Sequence, residues 1–378
     1  MTEGKFRGRA PGHVAAAVLI LAALTGQAMA DDLFPFDPDP FPSTYAPLPR
    51  HDLAITNVTI LDGAGGRIEK GAVLVWDGKI AAIGADLEIP AGVEVIDGAG
   101  RWLTPGIVDP HSHLGNAPLP ITPLELKSWD VNERTDPNTA HVFAEHAIFA
   151  QDPAFVRALE GGVTTLQILP GSTNLFGGRG VVLKNVPTVT VQDRKFPGAP
   201  VPLKMACGEN PKYNYGLRGM APGSRMGVVA GMRQALQAAR EYMAKWDEYR
   251  RELAEGDDDP PPARDFRLET LARALQGEIR VHVHCYRADD MANVMDVAAE
   301  FGLRLAAFHH ATEAYKIAPL LAEKGICAAV WSDWWGFKME GIDGIRENAA
   351  FLDAAGGCAA MHSDSPVVGQ RLNMEAAK

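Results

Sequence analysis

From Asp52 the chain runs as short apolar stretches broken by polar pairs: AITNVTIL, GAVLVW, KIAAIG and VEVIDG. A period of two puts alternate side chains on one face, so these stretches predict β-strands. Asp77-Gly78, between GAVLVW and KIAAIG, is a hairpin signal because glycine tolerates the positive φ of a tight turn. Residues 52–104 therefore predict a small antiparallel β-domain.

After Gly106 the pattern changes. Apolar strands now alternate with helical segments: IVDPHSH, VTTLQILP, GVVLKN, LKMACGE, RVHVHCY, RLAAFHHAT, ICAAVWSD and CAAMHSD. Such alternation predicts a parallel α/β architecture, and eight units suggest a closed barrel over residues 105–378. GVVLKN carries the weakest strand signal. One connection is long: Ser224 can cap a helix in which Val229, Met232, Leu236, Ala239, Met243 and Trp246 recur at steps of three and four. That stripe reads as a packing face, and GDDDPPP at 256–262 as the exposed loop that follows.

The two ends of the pattern are different in kind. Residues 31–51 are rich in proline and read as an extended linker. Residues 1–30 read as a signal peptide: a basic head (Lys5, Arg7, Arg9), an apolar core from Val14 to Leu24, and the small-x-small site Ala28-Met29-Ala30. The core is shorter than the roughly 20 residues a membrane span takes. The expectation is a periplasmic or secreted chain with no other membrane association.

Composition narrows the class. The chain has 378 residues, 47% apolar and 22% charged, which fits a globular enzyme. A formal charge of −11 is the wrong sign for an electrostatic nucleic-acid binder. Cys207, Cys285, Cys327 and Cys358 each sit in an apolar run with no CxxC pair, so they read as free buried thiols, although export would permit disulfides.

The candidate chemistry lies at the strand ends. His111 and His113 are two apart and share a strand face, and at the carboxyl end of a barrel strand that face is the mouth. Neutral imidazoles there suit zinc or a similar borderline metal, but one HxH pair falls short of the three or four ligands a metal needs. Other strand ends add donors. His282 and His284 share a face, with His284 nearer the mouth; Asp364 ends the eighth strand with His362 behind it; Glu209 ends LKMACGE. In RLAAFHHAT the row Leu303, Leu305, Ala307 suits the helix-facing side, which puts His309 outside and His310 inside. Tyr286 and Arg287 could meet a substrate carboxylate or form a loop ion pair, and Trp334, Trp335 and Lys338 could line a pocket or cover the barrel. Asn174 to Gly180, NLFGGRG, lacks the Gly-Lys-Ser/Thr ending of a phosphate loop and reads as a flexible turn.

LTPGIVDPHSH, GGVTTL, HCYRADDM, HHATEAYKI and HSDSP together resemble the amidohydrolase superfamily, most closely its imidazolonepropionase-like and Xaa-Pro-dipeptidase-like branch. The resemblance runs from about Asp52 to the last residue. It implies an α/β fold: a (β/α)8 TIM-type barrel with a small N-terminal β-sandwich domain. It also implies one or two divalent ions, with zinc favoured: His111, His113 and Asp364 hold the first, and His284 and His310 the second. A fourth-strand carboxylate would bridge them, either a carboxylated Lys204 or Glu209. The two are five apart and face opposite ways on a regular strand; Glu209 is favoured because it lies at the carboxyl end. Asp364 would act as general base and then general acid in hydrolysis of an amide-type C–N bond.

Members of this superfamily continue well past the strand-eight aspartate. Here fourteen residues follow Asp364, so the expectation is a fragment, a barrel incomplete at its C-terminus. The expected partner is a small-molecule or small-peptide substrate, with formation of a homo-oligomer left open. The same site type serves deaminases and phosphoester hydrolases, and an exported metal-binding protein without turnover is the alternative from another class. A serine hydrolase is disfavoured because no G-x-S-x-G elbow occurs.

Overall fold

The computed structural model describes residues 33–378; the export signal expected over residues 1–30 lies outside the described residues. The first element group is one five-stranded sheet. β1 (Leu53–Leu61), β2 (Arg67–Trp76) and β3 (Lys79–Gly84) run antiparallel, with Asp77 and Gly78 both at positive φ in the turn between β2 and β3. β4 (Glu94–Asp97) and β5 (Trp102–Leu103) then pair with β1 in parallel. The wholly antiparallel expectation is thus corrected: the chain leaving β3 crosses to the free edge of β1 and re-enters in its direction. Val58, Ile60 and Val73 form the buried centre. Among the described residues this group is a single sheet.

The α/β body follows. All eight strands read from the sequence are present: β6 (Ile107–Ser112), β7 (Val163–Ile168), β9 (Val181–Lys184), β10 (Pro202–Ala206), β11 (Arg280–Cys285), β12 (Leu305–His310), β13 (Cys327–Val330) and β14 (Ala359–Met361). A ninth, β8 (Phe176–Arg179), is formed by the segment expected to be a flexible turn, and its residues are fully buried. Hydrogen bonding divides these strands into two sheets, β6-β7-β9 and β14-β13-β12-β11-β10-β8. β10 to β14 are parallel, as are β6 and β7. β8 and β9 run against their neighbours β10 and β7. The cause is chain length: only residues 169–175 separate β7 from β8, too few for a crossover, which takes about a dozen residues. Only Gly180 separates β8 from β9, so one stretch of backbone serves both sheets. Gly178, at φ +116, has its backbone pressed on Val142; a Cβ there would lie 2.5 Å from that side chain.

Helices pack on both sheets, Ala154, Phe155 and Ala158 against the smaller and several others against one face of the larger. They are α1 (Pro153–Glu160), α2 (Glu209–Gly216), α3 (Arg225–Glu255), α4 (Phe266–Gln276), α5 (Ala288–Phe301), α6 (Ala318–Lys324), α7 (Asn348–Ala354) and α8 (Leu372–Ala377). Leu203, Met205, Val281, Val283 and Phe308 from the strands pack in one core with Met232, Leu236, Leu271, Met291 and Leu321 from the helices. Ser224 caps α3, its hydroxyl accepting from the Gly227 N–H at 3.1 Å, and Met232, Leu236 and Ala239 are buried as the stripe predicts. A separate compact unit joins residues up to Pro40 with Met243–Pro262. Within it Phe34 and Phe36 meet Trp246 edge-on, at 5.8 and 5.4 Å. The proline-rich segment has no regular secondary structure, but Leu33 and Phe34 are buried, so this part is not a free tether.

Two covalent ties correct the reading of free thiols: Cys207 is bonded to Cys285, and Cys327 to Cys358. Each links neighbouring parallel strands or their flanks, where the Cα–Cα distances of 5.3 and 4.5 Å suit a disulfide. A third tie is polar. The Asp364 N–H donates to the His111 carbonyl at 2.9 Å, and the Ser363 N–H and hydroxyl donate to the Asp109 carboxylate at 3.1 and 2.5 Å, joining the end of β14 to β6.

Two stability outcomes are expected. Cys327→Ala with Cys358→Ala frees a crosslink of 31 residues' separation, and chain entropy sets the loss at about 3–4 kcal/mol; urea unfolding with and without reductant measures it, and the wild type in reductant should lose at least as much. Asp109→Ala leaves the buried Ser363 donors unpaired and should cost about 3 kcal/mol, read as a lower urea midpoint at unchanged slope.

Candidate functional site

Side chains from both sheets meet at the carboxyl ends of the strands. On β6, His111 is fully buried and His113 nearly so, and their Nε2 atoms lie 3.3 and 3.2 Å from Asp364 Oδ1. The His113 ring is fixed by its Nδ1, which donates to the Leu169 carbonyl at 2.9 Å. On β11, Val281, Val283 and Cys285 face the helices, which turns His282 and His284 to the other side. The His284 and His310 rings lie 4.5 Å apart, and His310 Nδ1 is 3.9 Å from Asp364 Oδ2. His362, buried behind Asp364, packs against His111 and His310 with ring centroids at 5.0 Å from each.

Two overlapping sets could hold a cation: His111, His310 and His362; and His111, His113 and Asp364. Within each set the ligand atoms lie no more than 4.8 Å apart. The residues present fit a divalent metal. Both ring nitrogens of His284 and of His362, and Nδ1 of His310, are buried with no hydrogen-bond partner among the described residues, a costly state that a metal would relieve. Burial, reinforced by the Lys204 ammonium, holds His111 well below the usual imidazole range. Burial does the same for His284, reinforced by the Lys338 ammonium, and for His310. His362 is pushed down to about 4, again by burial. All four are therefore neutral near pH 7, the form that binds metals. Burial pushes Asp364 up, but His113, with His362 and the Lys204 ammonium, outweighs it and keeps the carboxylate below its usual range.

On the fourth strand it is Lys204, and not Glu209, that lies beside His111. Leu203 and Met205 pack into the helix-facing core, so Lys204 between them points inward: its Nζ is 3.2 Å from His111 Nε2 and donates to the Pro170 carbonyl at 3.0 Å. Burial lowers its pKa to about 7. Glu209 lies beyond Gly208 (φ +72), opens α2 and pairs with Lys338 at 3.5 Å. It belongs to neither candidate ligand set.

The sixth strand corrects the placement of His309. Phe308 faces the helices, so His309 turns inward and lies between His111 and His282. His310 would then face outward, but its φ of +67 and that of Ala311, +41, break the alternation and bring it back to the site. Strand parity alone could not show this.

Tyr286 stacks on His310 at 5.3 Å and carries the Lys338 ammonium 4.0 Å above its ring, while Lys338 also donates to Asn210 Oδ1 at 2.7 Å. Arg287 pairs with Asp289 as an ordinary surface contact. Trp335 lies over Gly344. Trp331, which the sequence reading did not single out, stacks on His310 at 4.3 Å; its position at the end of β13 was the available signal. A cavity of about 640 Å³ opens on His113 and Asp364, with Ile121, Trp129 and Trp334 on its apolar wall and Arg134 as a guanidinium at its rim. Arg134 makes no side-chain ion pair or hydrogen bond among the described residues.

No protein-family model matches the chain. It is 32% identical to the amidohydrolase tasK of Hapsidospora irregularis over 332 residues, which is 82% of this chain and 33% of that protein. It is 31% identical over 138 residues to an imidazolonepropionase of Aromatoleum aromaticum, 32% of this chain and 34% of the relative. The chain thus spans about a third of the length of these curated relatives. Its structure matches the crystal structure of an amidohydrolase from Thermotoga maritima MSB8 with a TM-score of 0.77 and 36% identity, over 86% of this chain and 82% of that one. With that identity sustained across most of both chains, and a histidine–aspartate cluster at the strand ends, the protein belongs to the amidohydrolase family.

Proposed function

We propose that this chain is a metal-dependent hydrolase of C–N bonds in amides, cyclic amides or small peptides. The observation that carries the reading is the set of buried imidazole nitrogens without hydrogen-bond partners that cluster near Asp364, which with His113 lines an open cavity. His111, His113 and Asp364 would hold one ion, and His284 and His310, with His362 beside them, a second. Lys204 replaces Glu209 as the fourth-strand candidate, since it reaches His111 and its lowered pKa leaves an appreciable share of reactive free amine near pH 7.

A divalent metal such as zinc supplies Lewis acidity, polarising a carbonyl and making water a stronger acid near neutral pH. The remaining work belongs to the chain. Asp364 is a carboxylate at neutral pH, so it can take the proton of the attacking water and pass it to the nitrogen as the C–N bond breaks. The products are a carboxylic acid and an amine. Ile121, Trp129 and Trp334 would seat an apolar substituent, and Arg134, with no internal partner, would take an anionic group.

We read β6–β14 as one (β/α)8-type barrel whose third position is filled by β8 and β9, and residues 52–104 as part of an attached β-sandwich. Continuity through Gly180 and the bond between Asp364 and His111 support closure of the ring. Export to the periplasm or beyond fits the two disulfides, which need an oxidising compartment.

Asp364→Asn should keep at least one equivalent of metal by elemental analysis yet lose about 10²–10⁴-fold in kcat. Full activity in this variant would remove Asp364 from the mechanism. A panel of N-acyl amino acids, Xaa-Pro dipeptides and cyclic ureides tests the reaction class; tight metal binding with no turnover of any member would favour a binding protein instead. Arg134→Met should raise KM about tenfold for substrates bearing a free carboxylate, leave kcat near wild type, and have little effect on their amidated analogues.

A further inference from the structure

Beneath the site, the structure holds three buried or half-buried polar groups that the proposed reaction does not use: His309, His282 and Gln167. They form a chain with His111. His111 Nδ1 is 3.0 Å from His309 Nδ1, His309 Nε2 is 2.9 Å from His282 Nδ1, and Gln167 Nε2 is 3.4 Å from the same His282 nitrogen. The Gln167 amide also donates to the Pro110 main-chain carbonyl at 2.8 Å.

We propose that Gln167, through His282 and His309, fixes His111 in the tautomer that presents a lone pair at Nε2 to the metal site. Donors and acceptors along the chain fix where each proton sits. A carbonyl oxygen can only accept, so Pro110 orients the NH2 end of Gln167 toward itself and toward His282. That makes His282 Nδ1 an acceptor, its one lone pair shared between the Gln167 amide at 3.4 Å and the His309 ring at 2.9 Å. His309 must then donate from Nε2, and as a neutral ring it keeps only a lone pair at Nδ1. His111 Nδ1 therefore carries the hydrogen shared with His309. Its Nε2, which faces Asp364 and Lys204, is left with the lone pair. His113 reaches the same state by a shorter route, its Nδ1 donating directly to the Leu169 carbonyl. Each histidine of the pair is thus set by one main-chain carbonyl, His111 through three intervening side chains.

Gln167 is a positioning residue in this account, and its effect is separable from packing. In Gln167→Glu, an oxygen replaces the NH2 group; any proton it holds goes to Pro110, so it offers His282 only lone pairs. The chain then inverts and His111 carries its hydrogen at Nε2. Gln167→Met keeps the bulk and removes the polarity. The test is long-range ¹H–¹⁵N correlation on the full, metal-free chain, with metal affinity measured by chelator competition.

The wild type should show the hydrogen on Nδ1 of His111 and on Nε2 of His309 and His282. Gln167→Glu should reverse all three and weaken metal binding about 10- to 100-fold, with a smaller loss in Gln167→Met. A wild-type His111 protonated at Nε2 overturns the proposal, whether or not the variants fold. So does a Gln167→Met variant that loses as much affinity as Gln167→Glu while the tautomers stay unchanged. The affinity arm rests on the metal reading given above; a wild type that binds no metal would sink that reading and leave the tautomer result standing on its own.

Discussion

An imidazole nitrogen taken out of water has to find a partner, and this requirement organises the protein's interior. Histidines from β6, β11 and β12, with His362 from the end of β14, are drawn into one desolvated cluster. Deep in it, each ring nitrogen finds a neighbour: His111 with His309, His309 with His282. Elsewhere in it the partners run out, and nitrogens of His284, His310 and His362 have no hydrogen-bond partner among the described residues. The gradient from satisfied to unsatisfied donors separates scaffold from reactive surface. Burial favours neutral rings, a form that can both pair with a neighbouring ring and ligate a metal.

The frame around the cluster meets the same requirement through the main chain. Asp109 lies at the centre of the junction between β6 and β14, where its carboxylate accepts from Ser363 and from the His111 N–H. Burial pushes this carboxyl up to about 7 against those donors, so the junction balances desolvation against hydrogen bonding. On the opposite side, the continuous stretch through β8, Gly180 and β9 carries hydrogen bonds from one sheet to the other. Both junctions bring Lys204, His111 and His309 within reach of one another across the interior.

Much of this was legible in the chain. The eight alternating strands, the hairpin at Asp77-Gly78, the cap at Ser224 and the shared face of His282 and His284 follow from periodicity and residue chemistry. What escaped depends on register and on departures from regular backbone. Lys204 rather than Glu209 reaches His111 because Leu203 and Met205 choose the helix side, a fact of packing that strand parity leaves open. His309 and His310 both face the site because His310 takes a positive φ, which no alternation rule anticipates in a non-glycine residue. The cysteines pair because parallel strands place them side by side, and that adjacency exists only once the sheet has formed. NLFGGRG reads as a loop because its glycines serve close backbone approach inside a buried strand.

The bond between Cys207 and Cys285 has a consequence for how the cluster responds to being emptied. It joins the chain just past β10, which carries Lys204, to the last residue of β11, which carries His284. The spacing of these two main-chain ends is therefore set by covalent geometry, independently of what the side chains between them hold. Loss of a bound ion would free imidazoles to turn without letting their strands part at this point. Recharging the site would then need rotation of side chains and no rebuilding of the sheet there, so capture of an ion at this edge should be quick compared with folding.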